Sequence, residues 1–301
     1  MAETTRARPF GELLTAMVTP MRADGAIDLD AAVALAKHLV AHGHDGLVLN
    51  GTTGEAPTTH APEKAALVAA VVEAVGDRAV VVAGAGSNDT MHVVRIAQQA
   101  ANAGAHGLLV VTPYYSRPSQ EGVYRHTVAV ADATDLPVML YDVPGRTVVR
   151  YAPHTLARLA EHPRIVAMKD ATGDPQAALR AIARTGLAWY SGDDGLLLPF
   201  LAVGGVGLVS MAAHLVGDEL AAVIRAWHAG DHDGAREAFV ALLPVVDLIA
   251  GSGNGALRSK LALHLMGLLP SAAMRLPQVE ADESEVAEVR AALAAAGLLP
   301  T

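Results

Sequence analysis

Cysteine is absent from this chain of 301 residues. That removes disulfides, thiolate metal centres and cysteine nucleophiles together. Aromatic residues make up only 4%, so Ala, Val and Leu must fill the interior, which suits layered strand-and-helix packing. Charged residues are 18% and the net charge is −9. A general polyanion binder shows a basic face, which this balance argues against. No apolar run reaches the roughly 18 to 20 residues of a membrane span without Gly, Pro or charge breaking it. The stretch from Met1 to Pro9 is short and polar and lacks the apolar core of a signal peptide. A soluble, cytoplasmic protein is expected. What is present in quantity is apolar: 52% of residues are hydrophobic, enough for one large barrel or two modest domains.

Strand-like apolar runs alternate with Ala-rich helical runs. Leu13 to Thr19 reads as a strand, and Leu29 to His42 as a helix led in by the capping candidate Asp28. The alternation continues through strands at Gly46 to Asn50, Ala79 to Ala83, Gly107 to Thr112, Pro137 to Tyr141, Ile165 to Lys169, Leu187 to Tyr190 and Gly207 to Ser210. A helical run follows each, the last at Asp218 to Ala229. Eight units of roughly 25 to 30 residues predict a parallel (β/α)8 barrel, and their even length favours closure over an open sheet. Beyond about residue 230 the strands stop, and three further helices are expected between Gly234 and Ala296. The chain therefore divides into a barrel over 1–230 and a helical extension over 231–301, with no low-complexity linker between them.

In such a barrel, chemistry belongs at the C-terminal ends of strands. The sixth strand runs Ile165-Val166-Ala167-Met168 straight into Lys169. Desolvation at that position disfavours a charged ammonium and favours an amine nucleophile. Taken alone, this run reads more readily as a lysine snorkelling from a strand end. Its company changes that reading. Gly51-Thr52-Thr53-Gly54-Glu55 follows the second strand, Thr112-Pro113-Tyr114-Tyr115 the fourth, Tyr141-Asp142-Val143-Pro144-Gly145-Arg146-Thr147 the fifth, and Ser191-Gly192-Asp193-Asp194 the seventh. Each alone is ordinary turn chemistry, but all of them fall at one end of one barrel.

These segments, with Lys169-Asp170-Ala171-Thr172-Gly173, resemble the pyruvate-dependent Schiff-base (class I) aldolase family over nearly the whole chain. Arg146 after Tyr-Asp-Val-Pro leans towards its dihydrodipicolinate synthase branch. The resemblance implies condensation of pyruvate with L-aspartate-4-semialdehyde on the diaminopimelate and lysine route. It also implies a barrel with a helical extension, and a tetramer built as a pair of dimers.

The residues fit that chemistry. Neutral Lys169 attacks the pyruvate ketone, and the resulting iminium acts as the electron sink, so no metal and no cofactor is called for. Tyr141 is the candidate for moving protons at the imine, and Thr53 can relay them towards Tyr115. The family implies that Tyr115 enters from a neighbouring subunit. Thr52 and Thr53 can seat the pyruvate carboxylate through amides and hydroxyls. The planar fork of Arg146 suits the carboxylate of the second substrate. Gly192, Asp193 and Val209 match family positions that line the pocket.

Two other readings stand beside this one. An aldolase or lyase acting on a 2-oxo sugar acid would share Lys169, Tyr141 and Thr53, and a keto-acid sensor would share the scaffold but gain nothing from a desolvated amine. Gly84-Ala85-Gly86-Ser87-Asn88-Asp89 lacks the final Gly of a dinucleotide loop. The pairs His42 and His44, and His228 and His232, read as surface or satisfied histidines rather than metal ligands.

Two segments depart from the family pattern. An Asn-Pro-x-Pro segment is replaced by Gly253-Asn254-Gly255-Ala256-Leu257-Arg258-Ser259-Lys260, which bears on subunit packing rather than on the active site. Positions that hold the inhibitor L-lysine in sensitive relatives read Ala56, Lys64, Asn88 and His92 here, so weak or absent inhibition is expected.

Overall fold

The computed structural model describes residues 8–251 and 254–299. The stretch 1–7 and Gly253, on which two of the expectations above fall, lie outside the described residues. Eight strands form the centre: β1 (Leu13–Ala16), β2 (Gly46–Leu49), β3 (Val80–Gly84), β4 (Gly107–Val111), β5 (Val138–Asp142), β6 (Ile165–Asp170), β7 (Ala188–Ser191) and β8 (Gly207–Ser210). Each pairs with the next in parallel, and β8 returns to β1, so the sheet closes into a barrel. At that closure Gly207 has no room for a side chain, because a Cβ would run into the Glu12 carbonyl. The (β/α)8 expectation is met.

Alternation along the strands makes two cores. Leu14, Val48, Val82, Met139, Ala167 and Val209 point inward and fill the barrel with Tyr141 and Tyr190. The residues between them point outward and pack under the helices. These helices are α1 (Leu29–Ala41), α2 (Ala61–Val75), α3 (Thr90–Asn102), α4 (Gln120–Ala131), α5 (Pro144–Thr147), α6 (Pro153–Ala160), α7 (Pro175–Thr185), α8 (Leu197–Ala202) and α9 (Ala213–His228). Local caps start several of them. Asp28, Asp89, Ser119 and Asp174 each accept from an amide of the first turn.

After α9 come α10 (His232–Ala250), α11 (Gly255–Leu265) and α12 (Glu283–Ala295). They bury Val246 and Ile249 of α10, Leu261 of α11 and Val289 of α12 in the same outer core. Arg258 forks the Glu288 carboxylate through two bonds of 2.9 Å and ties α11 to α12. Among the described residues, no single helix is long and apolar enough to cross a membrane.

Two local expectations are corrected. Helix α9 begins at Ala213 rather than near Asp218, with a kink at Val216. The amides at and just before its start are held by one distant residue and one local one. Asp194 accepts from Met211 N and Ala212 N, and the Ser210 hydroxyl accepts from Ala213 N. The one-turn helix α5, which carries Arg146, has no counterpart in the sequence reading.

Candidate active site

Register places the reactive pair. Tyr141 of β5 lies opposite Lys169 of β6, and both share the inward face of their strands with Ala167 and Met139. The Lys169 ammonium sits 4.5 Å from the centre of the Tyr141 ring, and the lysine is only 5% exposed. The following residues, Asp142 and Asp170, point to the outer face. Asp142 accepts from Tyr151 N at 3.2 Å, while Asp170 accepts from Thr172 N at 2.8 Å and from the Trp189 indole at 2.9 Å. Burial pushes the Asp142 carboxyl up to about 7. Strand β6 runs one residue further than expected, because Asp170 still pairs with Ser191.

A cavity of about 330 Å³ opens over this pair, lined by Thr52, Thr53, Tyr141, Arg146, Lys169, Gly192 and Asp193 among others. A second cavity of about 270 Å³ shares Thr52, Tyr141 and Arg146 and extends to Gly86 and Tyr114. The turn after β2 brings Thr52 and Thr53 to the rim. The Glu55 amide donates to Thr52 O at 3.1 Å and the Thr19 hydroxyl donates to Gly54 O at 2.7 Å. Among the described residues, nothing accepts from the Thr52 or Thr53 amide, so both are open to an anion. The Arg146 guanidinium is exposed and likewise has no carboxylate partner among the described residues. Its backbone is held on α5, where its amide donates to Val143 O at 2.9 Å.

Not every expected residue gathers here. Tyr115 is 87% exposed, sits in the left-handed region with φ 71°, and lines neither cavity. Val209 is buried in the barrel interior rather than in the cavity wall. Gly192 stands directly against the lysine, since a Cβ there would lie 3.0 Å from Lys169 Cε.

One expectation about the extension is corrected. The segment replacing Asn-Pro-x-Pro is expected to leave the active site untouched, yet Asn254, Gly255 and Ala256 line the cavity with Pro277 and Gln278. Asn254 donates to the Gln278 side chain at 2.8 Å. Met211 joins them, packed so closely on Gly255 that a Cβ there would lie 2.7 Å from its sulfur. No local sequence pattern announces these residues, since their contribution depends on how the extension folds back.

The profile of the Dihydrodipicolinate synthetase family matches residues 9–296. The chain belongs to this family. It is 57% identical to 4-hydroxy-tetrahydrodipicolinate synthase 2 of Streptomyces coelicolor, over 99% of both chains. It is 55% identical to the 4-hydroxy-tetrahydrodipicolinate synthase of Acidothermus cellulolyticus, over 99% of this chain and 96% of that one. Among solved structures, a dihydrodipicolinate synthase of Bacillus anthracis superposes with a TM-score of 0.91 at 40% identity, covering 97% of this chain and 99% of that one. The synthase of Cyanidioschyzon merolae with lysine bound gives 0.93 at 38% identity, covering 97% of this chain and all of that one.

Proposed function

We propose that the chain condenses pyruvate with L-aspartate-4-semialdehyde to 4-hydroxy-tetrahydrodipicolinate. The observation that carries this reading is the buried Lys169 amine over the Tyr141 ring, on the floor of a cavity whose rim bears Arg146, which has no carboxylate partner among the described residues.

Deprotonated Lys169 adds to the pyruvate ketone carbon and, with loss of water, gives an iminium. The iminium draws electrons from the methyl carbon, which loses a proton to give an enamine. That carbon adds to the aldehyde of the second substrate, whose oxygen takes up a proton and becomes the 4-hydroxyl. The substrate amine then attacks the iminium carbon, expels Lys169 and closes the ring. One water leaves overall, and the lysine is regenerated. Tyr141 moves protons at the imine, with Thr53 as its relay. The open Thr52 and Thr53 amides seat the pyruvate carboxylate, and Arg146 takes the carboxylate of the aldehyde substrate. Gly192 keeps the approach to Lys169 clear, and the buried Val209 supports the floor.

Within one chain Tyr115 stands away from the cavities, which fits a tyrosine supplied to a neighbouring subunit. The assembly in this reading is a homotetramer of paired dimers in the cytoplasm.

The test is reductive trapping. Pyruvate with borohydride is expected to add one reduced adduct per chain, on Lys169, and a coupled assay to show turnover with aspartate semialdehyde. Labelling at another lysine, or undiminished turnover in Lys169→Arg, would sink the mechanism. Turnover only with a 2-oxo sugar acid would move the chain to the aldolase side of the superfamily.

A further inference from the structure

The turn that carries Thr52 and Thr53 is anchored from a distant part of the chain. Its first half leaves β2 through Asn50, whose side chain donates to Lys64 O at 3.2 Å. Its last residue, Glu55, is a non-glycine residue in the left-handed region, with φ 56° and ψ 40°. L-residues adopt that conformation only at a cost. The Glu55 carboxylate is also 4% exposed, so both its backbone and its charge need partners.

The backbone is held locally, where Glu55 N donates to Thr52 O at 3.1 Å and Thr58 N donates to Glu55 O at 3.0 Å; the partners of the charge come from the C-terminal extension. Lys260 of α11 is fully buried and donates to Glu55 Oε1 and, at 2.7 Å, to Ala273 O. Arg275 N donates to Glu55 Oε2 at 3.0 Å. The Arg275 guanidinium then holds the continuation of the turn. It donates to Thr58 O at 2.9 Å, to Gly25 O at 2.7 Å, and to both oxygens of Glu63. A buried lysine–carboxylate pair is a poor way to gain stability, because desolvating both charges offsets much of their attraction. It is a good way to hold one geometry, because either charge left alone in that place is costly.

We infer that Lys260, through Glu55, is a positioning residue for pyruvate capture. By locking the left-handed end of the turn, it holds the Thr52 and Thr53 amides where a carboxylate can use both at once. Lys260 is fully buried and lines neither cavity; it acts through Glu55, which borders the cavity over Lys169 at the end of the four-residue turn from Thr52. The inference rests on the reading of Thr52 and Thr53 as the carboxylate seat.

The experiment uses the full-length chain and compares Lys260→Met, Glu55→Gln and the double variant with wild type. Circular dichroism sets the temperature so that each is fully folded. Two quantities are read: the pyruvate concentration for half-maximal borohydride-trapped imine, and the KM for each substrate in turnover. Losing a well-aligned hydrogen bond to a carboxylate weakens its binding by about 10- to 100-fold. Each single variant is therefore expected to need at least about ten-fold more pyruvate, with the KM for the aldehyde within about two-fold of wild type. The double variant leaves no buried charge unpaired and is expected to recover part of the loss.

A purely structural pair would lower the melting temperature and leave the pyruvate dependence of the folded protein unchanged. That result, or an equal rise for both substrates, overturns the inference. Should Lys260→Met fail to fold, Glu55→Gln decides alone, since it keeps the shape and the acceptor for Arg275 N. Thr53→Pro separates the two levels of the reading, because it removes one of the two amides. If, folded, it leaves pyruvate dependence intact, the seat is misassigned and the positioning role falls with it. If it impairs capture while Glu55→Gln does not, only the positioning role falls.

Discussion

Gly192→Ala tests the packing around the nucleophile most directly. An added Cβ would lie 3.0 Å from Lys169 Cε, 3.1 Å from Ala171 Cβ and 3.1 Å from Asp170 O. Carbon atoms pack best at about 3.5 to 4.0 Å, so the contact with Lys169 is short by roughly 0.5 to 1 Å. The neighbouring backbone cannot yield, because Gly192 N donates to Asp170 O at 2.7 Å and Ala171 N to Asp142 O at 2.9 Å. The lysine side chain must move instead, away from its place over Tyr141. Overpacking of this kind costs about 1 to 3 kcal/mol of stability, and displacing the amine by up to 1 Å is expected to slow imine formation by about 10- to 100-fold. The assay is the rate of borohydride-trapped adduct at saturating pyruvate, with thermal unfolding alongside. Gly145→Ala is the control, since nothing lies within 4 Å of a Cβ at that position. A folded Gly192→Ala that forms the imine at the wild-type rate would refute the idea that this glycine keeps the lysine free.

Arg146→Ala removes a charge-assisted fork and is expected to lower kcat/KM for aspartate semialdehyde by about 30- to 1000-fold, roughly 2 to 4 kcal/mol. The pyruvate imine should still form, and its collapse alongside turnover would show the assignment to be wrong. Asp142 titrates near 7 instead of 3.8 because it is buried, so the folded state keeps its proton after the unfolded chain has released it. Stability therefore falls as pH rises from about 4 to about 7, by up to roughly 4 kcal/mol. Asp142→Asn is expected to match wild-type thermal stability near pH 4 and exceed it at pH 8, and an equal difference at both would contradict the raised value. L-lysine is expected to inhibit weakly, because the Lys64 ammonium is buried on Ala56 O, Thr59 O and the Thr59 hydroxyl and the family resemblance puts His92 at the position of a carboxylate that would pair with the ligand. Losing that pairing weakens binding by about 10- to 100-fold; half-maximal inhibition at submillimolar lysine in a steady-state assay would refute it.

How legible the fold was depended on where each signal sits. Helix α1 starts at a cap adjacent in sequence, and the expected start holds to the residue at Leu29. Helix α9 starts five residues early because Asp194 holds the amides leading into it across space, and no local pattern carries that information. The same division runs through the site. Thr52, Thr53, Tyr141, Arg146 and Lys169 stand at strand ends and were readable as a set, whereas Asn254 and Gln278 reach the cavity only because the extension folds back over it.

The two-residue period of a strand explains how this site combines a free nucleophile with a rigid frame. Tyr141 and Lys169 face each other inside the barrel, and Asp142 and Asp170 face each other one step on, turned outward. The inner pair makes few polar contacts and is left available for substrate. The outer pair is buried and bonded to Tyr151 N, Thr172 N and the Trp189 indole. Successive Cβ atoms of a strand point to opposite faces, so anchoring the outer residue sets the face on which its inner neighbour stands. The hydrogen bonds of Asp142 and Asp170 thus fix the direction of Tyr141 and Lys169 without occupying them. That arrangement supplies the orientation a Schiff-base nucleophile needs while leaving its nitrogen clear to attack.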